Sequence, residues 1–204
     1  MHPVAVIHWV SVGQLLLISL AIMGSPGPVT VTLVAAGSVL GVRRSLPYLV
    51  GLIVGSTVVL VAVATGITAA LLALPAIGSI LILISAAYIL WLAYHIATAP
   101  VPSKLGVGTK AFSLVSGAVL GVANPKAWVA IAAVFTSVHL ADTATADVAA
   151  KLVALTAMIV LICSTWLVAG QTIAPLMRDV RGARIINVAL AVVLVSATAL
   201  AVLH

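Results

Sequence analysis

A single apolar run from about Val4 to Leu40 is broken in its middle by Gly24-Ser25-Pro26-Gly27-Pro28. Proline removes a ladder donor and clashes with the preceding turn, so a helix through this run must break there. If the run lies in lipid, the break is costly. Hydrocarbon offers no water to the freed backbone groups, which survive only when buried in protein or facing a wet cavity. A second break, Asn124-Pro125-Lys126, follows 99 residues after the first, measured from Pro26 to Pro125, in a chain of 204. Interrupted segments at matching places in two halves point to the binding site of a transporter.

Composition puts the chain in a membrane: 64% of residues are hydrophobic and 6% charged, with a mean hydropathy of +1.39. Soluble domains run at roughly half apolar and a quarter charged. The formal charge of +6 does not indicate a nucleic-acid partner, because the Lys and Arg residues fall mostly in short loops between apolar runs, as topology determinants do. The partners expected are the lipid bilayer and a small-molecule substrate, and homo-oligomerisation is left open. The one cysteine, Cys163, lies in an apolar run and reads as a packed side chain. No basic residue precedes the first run, as a secretory signal would require, so this run is expected to be the first span.

At about 20 apolar residues per crossing, six helices are predicted. They run over about Val4–Leu40, Leu46–Leu74, Ala76–Ala97, Ala111–Val138, Ala149–Ile173 and Ala183–Leu203, with the first and fourth broken. The fold class is therefore an all-α polytopic membrane protein. One set of loops carries Arg43, Arg44, Lys104, Lys110, Arg178, Arg181 and Arg184, and the other only Lys151. The basic loops are expected in the cytoplasm and both termini outside. Three helices per half make the halves, residues 1–102 and 103–204, inverted repeats.

Small residues recur at four-residue spacing in Gly37-x-x-x-Gly41, Gly51-x-x-x-Gly55 and Ser113-x-x-x-Gly117-x-x-x-Gly121, which reads as close helix packing. Trp9, Tyr48, Trp91, Tyr94 and His95 fall near span ends, where such rings sit at headgroup level.

Lys126 is the one charged residue that these spans place inside a helix rather than near its end. Fifteen residues of helix from Ala111 make roughly 22 Å, near the middle of a hydrocarbon core of about 30 Å. A charge at that depth marks a functional site; the structural alternative is a staple on carbonyls that Pro125 frees. A cation beside half-helix N-termini suits a carboxylate, and Asn124 adds an amide that can donate and accept. Ser25, Thr30 and Thr32 are expected to bond their own backbone. Asp142, Asp147 and Asp179 all read as loop residues, so no intramembrane carboxylate is expected. His2, His8, His95, His139 and His204 lack metal-ligand spacing. No cofactor and no enzymatic activity are expected.

Pro26-Gly27-Pro28, Gly41, Gly51-x-x-x-Gly55, Gly117-x-x-x-Gly121 and Asn124-Pro125-Lys126-Ala127 together resemble the LysE/RhtB family of amino-acid exporters. The resemblance implies six helices and export of amino acids or their analogues across the bacterial inner membrane, driven by the proton-motive force. It borders the substrate path with Pro26, Gly27, Pro28, Asn124, Pro125 and Lys126. Several family members carry an acidic residue where this chain has Ser56, so the resemblance does not extend to basic substrates or to carboxylate coupling. After Asn-Pro-Lys the chain is Ala-rich up to Phe135, which marks a divergent member. The alternative from the residues alone is a membrane scaffold or accessory subunit that transports nothing. In that case the two breaks would pack dry rather than meet around a cavity.

Overall fold

The computed structural model describes residues 6–66 and 112–177, with single positions between 87 and 97 and between 181 and 196. These residues are helical apart from loops and one isolated antiparallel bridge between Ile7 and Ala141. Five α-helices follow in order: α1 (Trp9–Met23), α2 (Pro28–Ala64), α3 (Leu114–Ala123), α4 (Pro125–Ser137) and α5 (Ala144–Ile173). The last passes into a 3-10 turn at Ala174–Met177. Helices α2 and α5 are long and apolar enough to cross a membrane, and α3 with α4, bent by 61° where they join, are so only when taken together, as a broken span or a re-entrant pair.

Both expected breaks are present. Helix α1 stops at Met23, and α2 begins at Pro28, where the missing N–H is one that a first helical residue does not use. The second break is a single extended residue, Asn124, with Pro125 opening α4.

Gly41 changes the reading of one motif. Its φ of 74° and ψ of 165° divide α2 into segments 28–40 and 42–64, a backbone state that glycine adopts without penalty. It is a turn rather than half of a packing face. The Ser45 hydroxyl ties the segments together by donating to the carbonyls of Ala36 (3.1 Å) and Gly41 (2.9 Å).

Other boundaries also move. The second expected span, drawn to Leu74, ends at Ala64, because Gly66 has a left-handed φ of 73° and closes the helix as a C-terminal glycine does. The fifth starts at Ala144, five residues before the expected Ala149, because the Thr143 side chain accepts from Ala146 N–H and caps it. The third span, the sixth span, Lys104, Lys110 and Asp179 fall wholly or largely outside the described residues.

Two small-residue seams hold the bundle. Gly51 and Gly55 of α2 face Gly117 and Gly121 of α3: a Cβ on Gly121 would lie 2.8 Å from Leu52 O and 2.9 Å from Gly55 Cα. Gly37 meets α5 in the same way, with its Cβ position 3.2 Å from Gly170 Cα. Backbones at this separation leave no room for a side chain, which is the close approach that small residues permit. Leu33, Leu52, Leu60, Leu120, Ile131 and Leu155 are buried between the helices. Val54, Val58, Val61, Val153 and Leu161 remain exposed, as suits a lipid-facing surface.

Two charged residues are not where the sequence suggests. Asp147 and Lys151, expected in a loop, lie on the first two turns of α5, buried, with 2.8 Å between carboxylate and ammonium. The backbone N–H of Leu140 also donates to Asp147, and the Lys151 ammonium lies 5.1 Å from the centre of the Phe135 ring. A carboxylate therefore does lie within a helix long enough to span, at its first turn, and does pair with a base. Tyr48 is buried in the bundle, edge-on to Phe112 at 5.2 Å. Trp9 and Tyr94 are exposed.

Candidate functional site

The two breaks meet. Ending α1 at Met23 and opening α2 at Pro28 frees the carbonyls of Gly24, Ser25 and Pro26, and the second half of the chain supplies donors to all three. The Lys126 ammonium donates to Ser25 O, to Ser25 Oγ at 2.8 Å and to Pro26 O at 3.2 Å. The Trp166 indole N–H, from α5, donates to Gly24 O at 3.1 Å. Across the second break, Trp128 Nε1 donates to Val122 O at 2.7 Å. Each is the satisfaction that freed backbone requires at membrane depth. The tryptophans were not singled out in the sequence; their signal is an indole N–H within an apolar run, which must find an acceptor when buried.

Ser25, Thr30 and Thr32 do bond their own backbone, at Ile22 O (2.8 Å), Gly27 O (3.0 Å) and Val29 O (3.0 Å). Thr30 Oγ1 also accepts from Gly27 N–H at 2.8 Å. Ser25 Oγ does two jobs, since it also accepts from Lys126.

A cavity of about 60 Å³ lies where the breaks converge, which is room for a few waters at about 10–15 Å³ each. Of the expected site residues, Gly27, Asn124 and Lys126 line it, while Pro26, Pro28 and Pro125 frame the breaks without reaching the wall. Val29 and Thr30, also in the wall, belong to the first turn of α2, where N–H groups have no intrahelical acceptor. The first α2 N–H to find one is that of Val31, bonded to Gly27 O at 2.9 Å. Half-helix N-termini and a lysine therefore border one space.

The wall also holds residues outside the expected set, Met23, Ser56 and Cys163 among them. Their signal in the sequence was weak. Cys163 read as packing, Met23 is one residue of an apolar run, and Ser56 stood out only as the position where several family members carry an acidic residue. Among the described residues no cluster of His, Cys, Asp or Glu could hold a metal ion.

The ends of the bundle differ in charge. At one end His8 Nε2 lies 2.8 Å from Asp142 Oδ1, and His8 N–H donates to Leu140 O at 2.9 Å. His139 Nδ1 lies 3.5 Å from Asp147 Oδ2 nearby. At the other end, the Gly41 turn carries exposed Arg43 and Arg44, held to the end of α5 by Val42 N–H donating to Gln171 Oε1 at 2.9 Å.

Apolar crossings, two helices broken at matched places and a cavity between the breaks define a helical membrane translocator. Comparison with known sequences gives the family. The profile described as "LysE type translocator" matches residues 18–204, and the chain belongs to the LysE family. It is also similar to proteins named cysteine/O-acetylserine efflux protein from Salmonella choleraesuis (strain SC-B67), Salmonella typhi and Salmonella typhimurium. Each is 42% identical over 77 residues, which is 37% of this chain and 39% of the relative. The match thus spans well under half the length of these curated relatives. No solved structure matches the chain at a comparable level.

Proposed function

We propose that this protein is a secondary exporter of small amino acids or related metabolites, working by alternating access across the cytoplasmic membrane. The observation that carries the reading is the convergence of both helix breaks on one cavity bordered by Lys126 and the N-terminus of α2. The efflux proteins that resemble part of the chain support the cargo class, and the family resemblance supplies the proton-motive force as driving gradient. A scaffold would have its breaks packed apart and dry, which this convergence disfavours.

In the conformation described, Lys126 spends its ammonium on Ser25 and Pro26. It acts as a staple while the cavity is small. A cargo carboxylate entering beside it offers a charged acceptor in place of neutral ones, and charge-assisted hydrogen bonds are roughly twice as strong. Exchange of partners would release the first break from the second half and couple binding to movement. Residues 1–102 and 103–204 are the moving bodies in this mechanism, two three-helix inverted repeats. Their cross-packing, Gly51 and Gly55 on α3 and Gly37 on α5, is what an approximate two-fold would produce. Pro26, Pro28 and Pro125 keep the breaks open, while Gly27, Asn124 and Lys126 face the cargo. The Arg43–Arg44 end faces the cytoplasm in this arrangement, and His8 and Asp142 face out.

The test is efflux from proteoliposomes preloaded with labelled amino acids under an imposed proton gradient. Wild-type protein should accelerate loss of at least one compound, and Lys126→Ala should abolish that acceleration while inserting normally. Normal export by Lys126→Ala would remove Lys126 from the mechanism.

A further inference from the structure

Asn124 is 5% exposed, ends α3 and sits at the N-cap position of α4, yet its side chain caps nothing. Its Oδ1 is buried without a hydrogen-bond partner, the one such side-chain atom among the described residues. Buried acceptors are normally paired, and an exception calls for an explanation. Asn124 also lines the cavity beside Lys126. Of the hydroxyls in the wall, Thr30 Oγ1 is already engaged with Gly27 N–H and Gly27 O, and that of Ser56 can donate as well as accept, whereas an amide oxygen only accepts. Among the described residues no carboxylate is in the wall.

We infer that Asn124 receives the ammonium group of the cargo, which makes the cargo a zwitterion with a small, uncharged side chain. The inference rests on the exporter reading and assigns the second pole of the same site. Lys126 attracts the cargo carboxylate, and Asn124 Oδ1 offers the acceptor that an ammonium needs. A second positive charge on the cargo would face the lysine with no anion to offset it. The rest of the wall, with Val29, Ala130, Ile131, Ile159 and Ile162, offers little to any charged side chain, because a buried charge needs a partner.

The experiment is equilibrium binding of radiolabelled L-alanine, L-serine and L-cysteine to the purified full chain. Propionate, ethylamine, L-lysine and L-glutamate serve as competitors, each lacking one pole or carrying an extra charge. On wild-type protein at least one labelled amino acid should bind, and every competitor should be at least about tenfold weaker than that amino acid unlabelled, on the scale of one lost hydrogen bond to a charged group. Asn124→Leu should weaken binding by about tenfold or more. Asn124→Asp, which can only accept when ionised, should bind at least as tightly as wild type. Equal competition by propionate or L-lysine on wild type would overturn the assignment without recourse to any variant, as would unchanged binding in Asn124→Leu or loss of binding in Asn124→Asp. If none of the three amino acids binds wild-type protein, the exporter reading falls together with this one.

Discussion

Gly27 and Lys126 share one place in the bundle. A Cβ on Gly27 would lie 2.7 Å from Lys126 Cδ and 3.2 Å from its Nζ. The two residues are also matching positions, 99 apart like Pro26 and Pro125. Two halves that meet at their breaks have room for one long side chain there, and the other half contributes a glycine. Gly27 is in extended backbone, with φ of −175°, which any residue can adopt, so the restriction is one of space. Gly27→Ala should insert normally but push Lys126 off the Ser25 and Pro26 carbonyls. The expected result is export reduced several-fold, and Gly27→Val should be worse. Efflux normalised to the amount of protein in the membrane measures it; wild-type export by Gly27→Val would refute the crowding.

Trp166→Phe keeps an aromatic ring, though a smaller one, and removes the N–H that reaches Gly24 O. Interhelical hydrogen bonds in membranes average about 0.6 kcal/mol, and an unsatisfied buried carbonyl costs about 1–3 kcal/mol. A destabilisation of roughly 1 kcal/mol is expected from these figures. Denaturant titration of the detergent-solubilised protein would read it, with Trp9→Phe, at a 78% exposed position, as the neutral comparison.

The glycine seam between α2 and α3 should tolerate nothing larger. Gly55→Leu puts a side chain against Ala118 O and Gly121 Cα and should abolish folded, inserted protein. Gly13→Leu, with nothing within 4 Å of its Cβ position, should leave it intact. Size-exclusion profiles of the two variants make the comparison, and a monodisperse Gly55→Leu would show that the helices can part at this seam.

Removing one partner of the buried Asp147–Lys151 pair leaves an uncompensated charge, a loss of about 3–5 kcal/mol. Asp147→Leu and Lys151→Met should each be strongly destabilised, and the two together should recover part of the loss. The exposed His8–Asp142 pair, at 47% and 56% side-chain exposure, belongs to the class worth about 0–1 kcal/mol, so Asp142→Asn should be nearly silent. Thermal unfolding of all four proteins checks the ranking. A double variant as unstable as the sum of its singles would mean that the two residues act independently.

Much of this protein could be read from its residues in order. Membrane residence follows from composition, because a long apolar run has no other solvent. The breaks follow from Pro26, Pro28 and Pro125, because proline denies a helix its hydrogen bond whatever surrounds it. That Lys126 at such depth must be engaged also follows, since an unpaired charge there is too costly to keep. Helix ends were less legible: Ala64 and Ala144 are set by the left-handed Gly66 and the Thr143 cap, local geometry that an apolar count does not register.

Only the tertiary structure decided what each of these groups meets. Lys126 could have turned to any carbonyl in reach, and it is the approach of α4 to the α1–α2 break that gives it Ser25 and Pro26. Asp147 and Lys151 look like loop charges until α5 is seen to begin at Ala144, which puts their four-residue spacing on one helix face with both side chains buried. Gly41 has the spacing of a packing face and the backbone of a turn, and spacing carries no information about φ. Asn124 is one polar residue in sequence; that its oxygen ends beside a cavity without a partner depends on how two halves of the chain close around it.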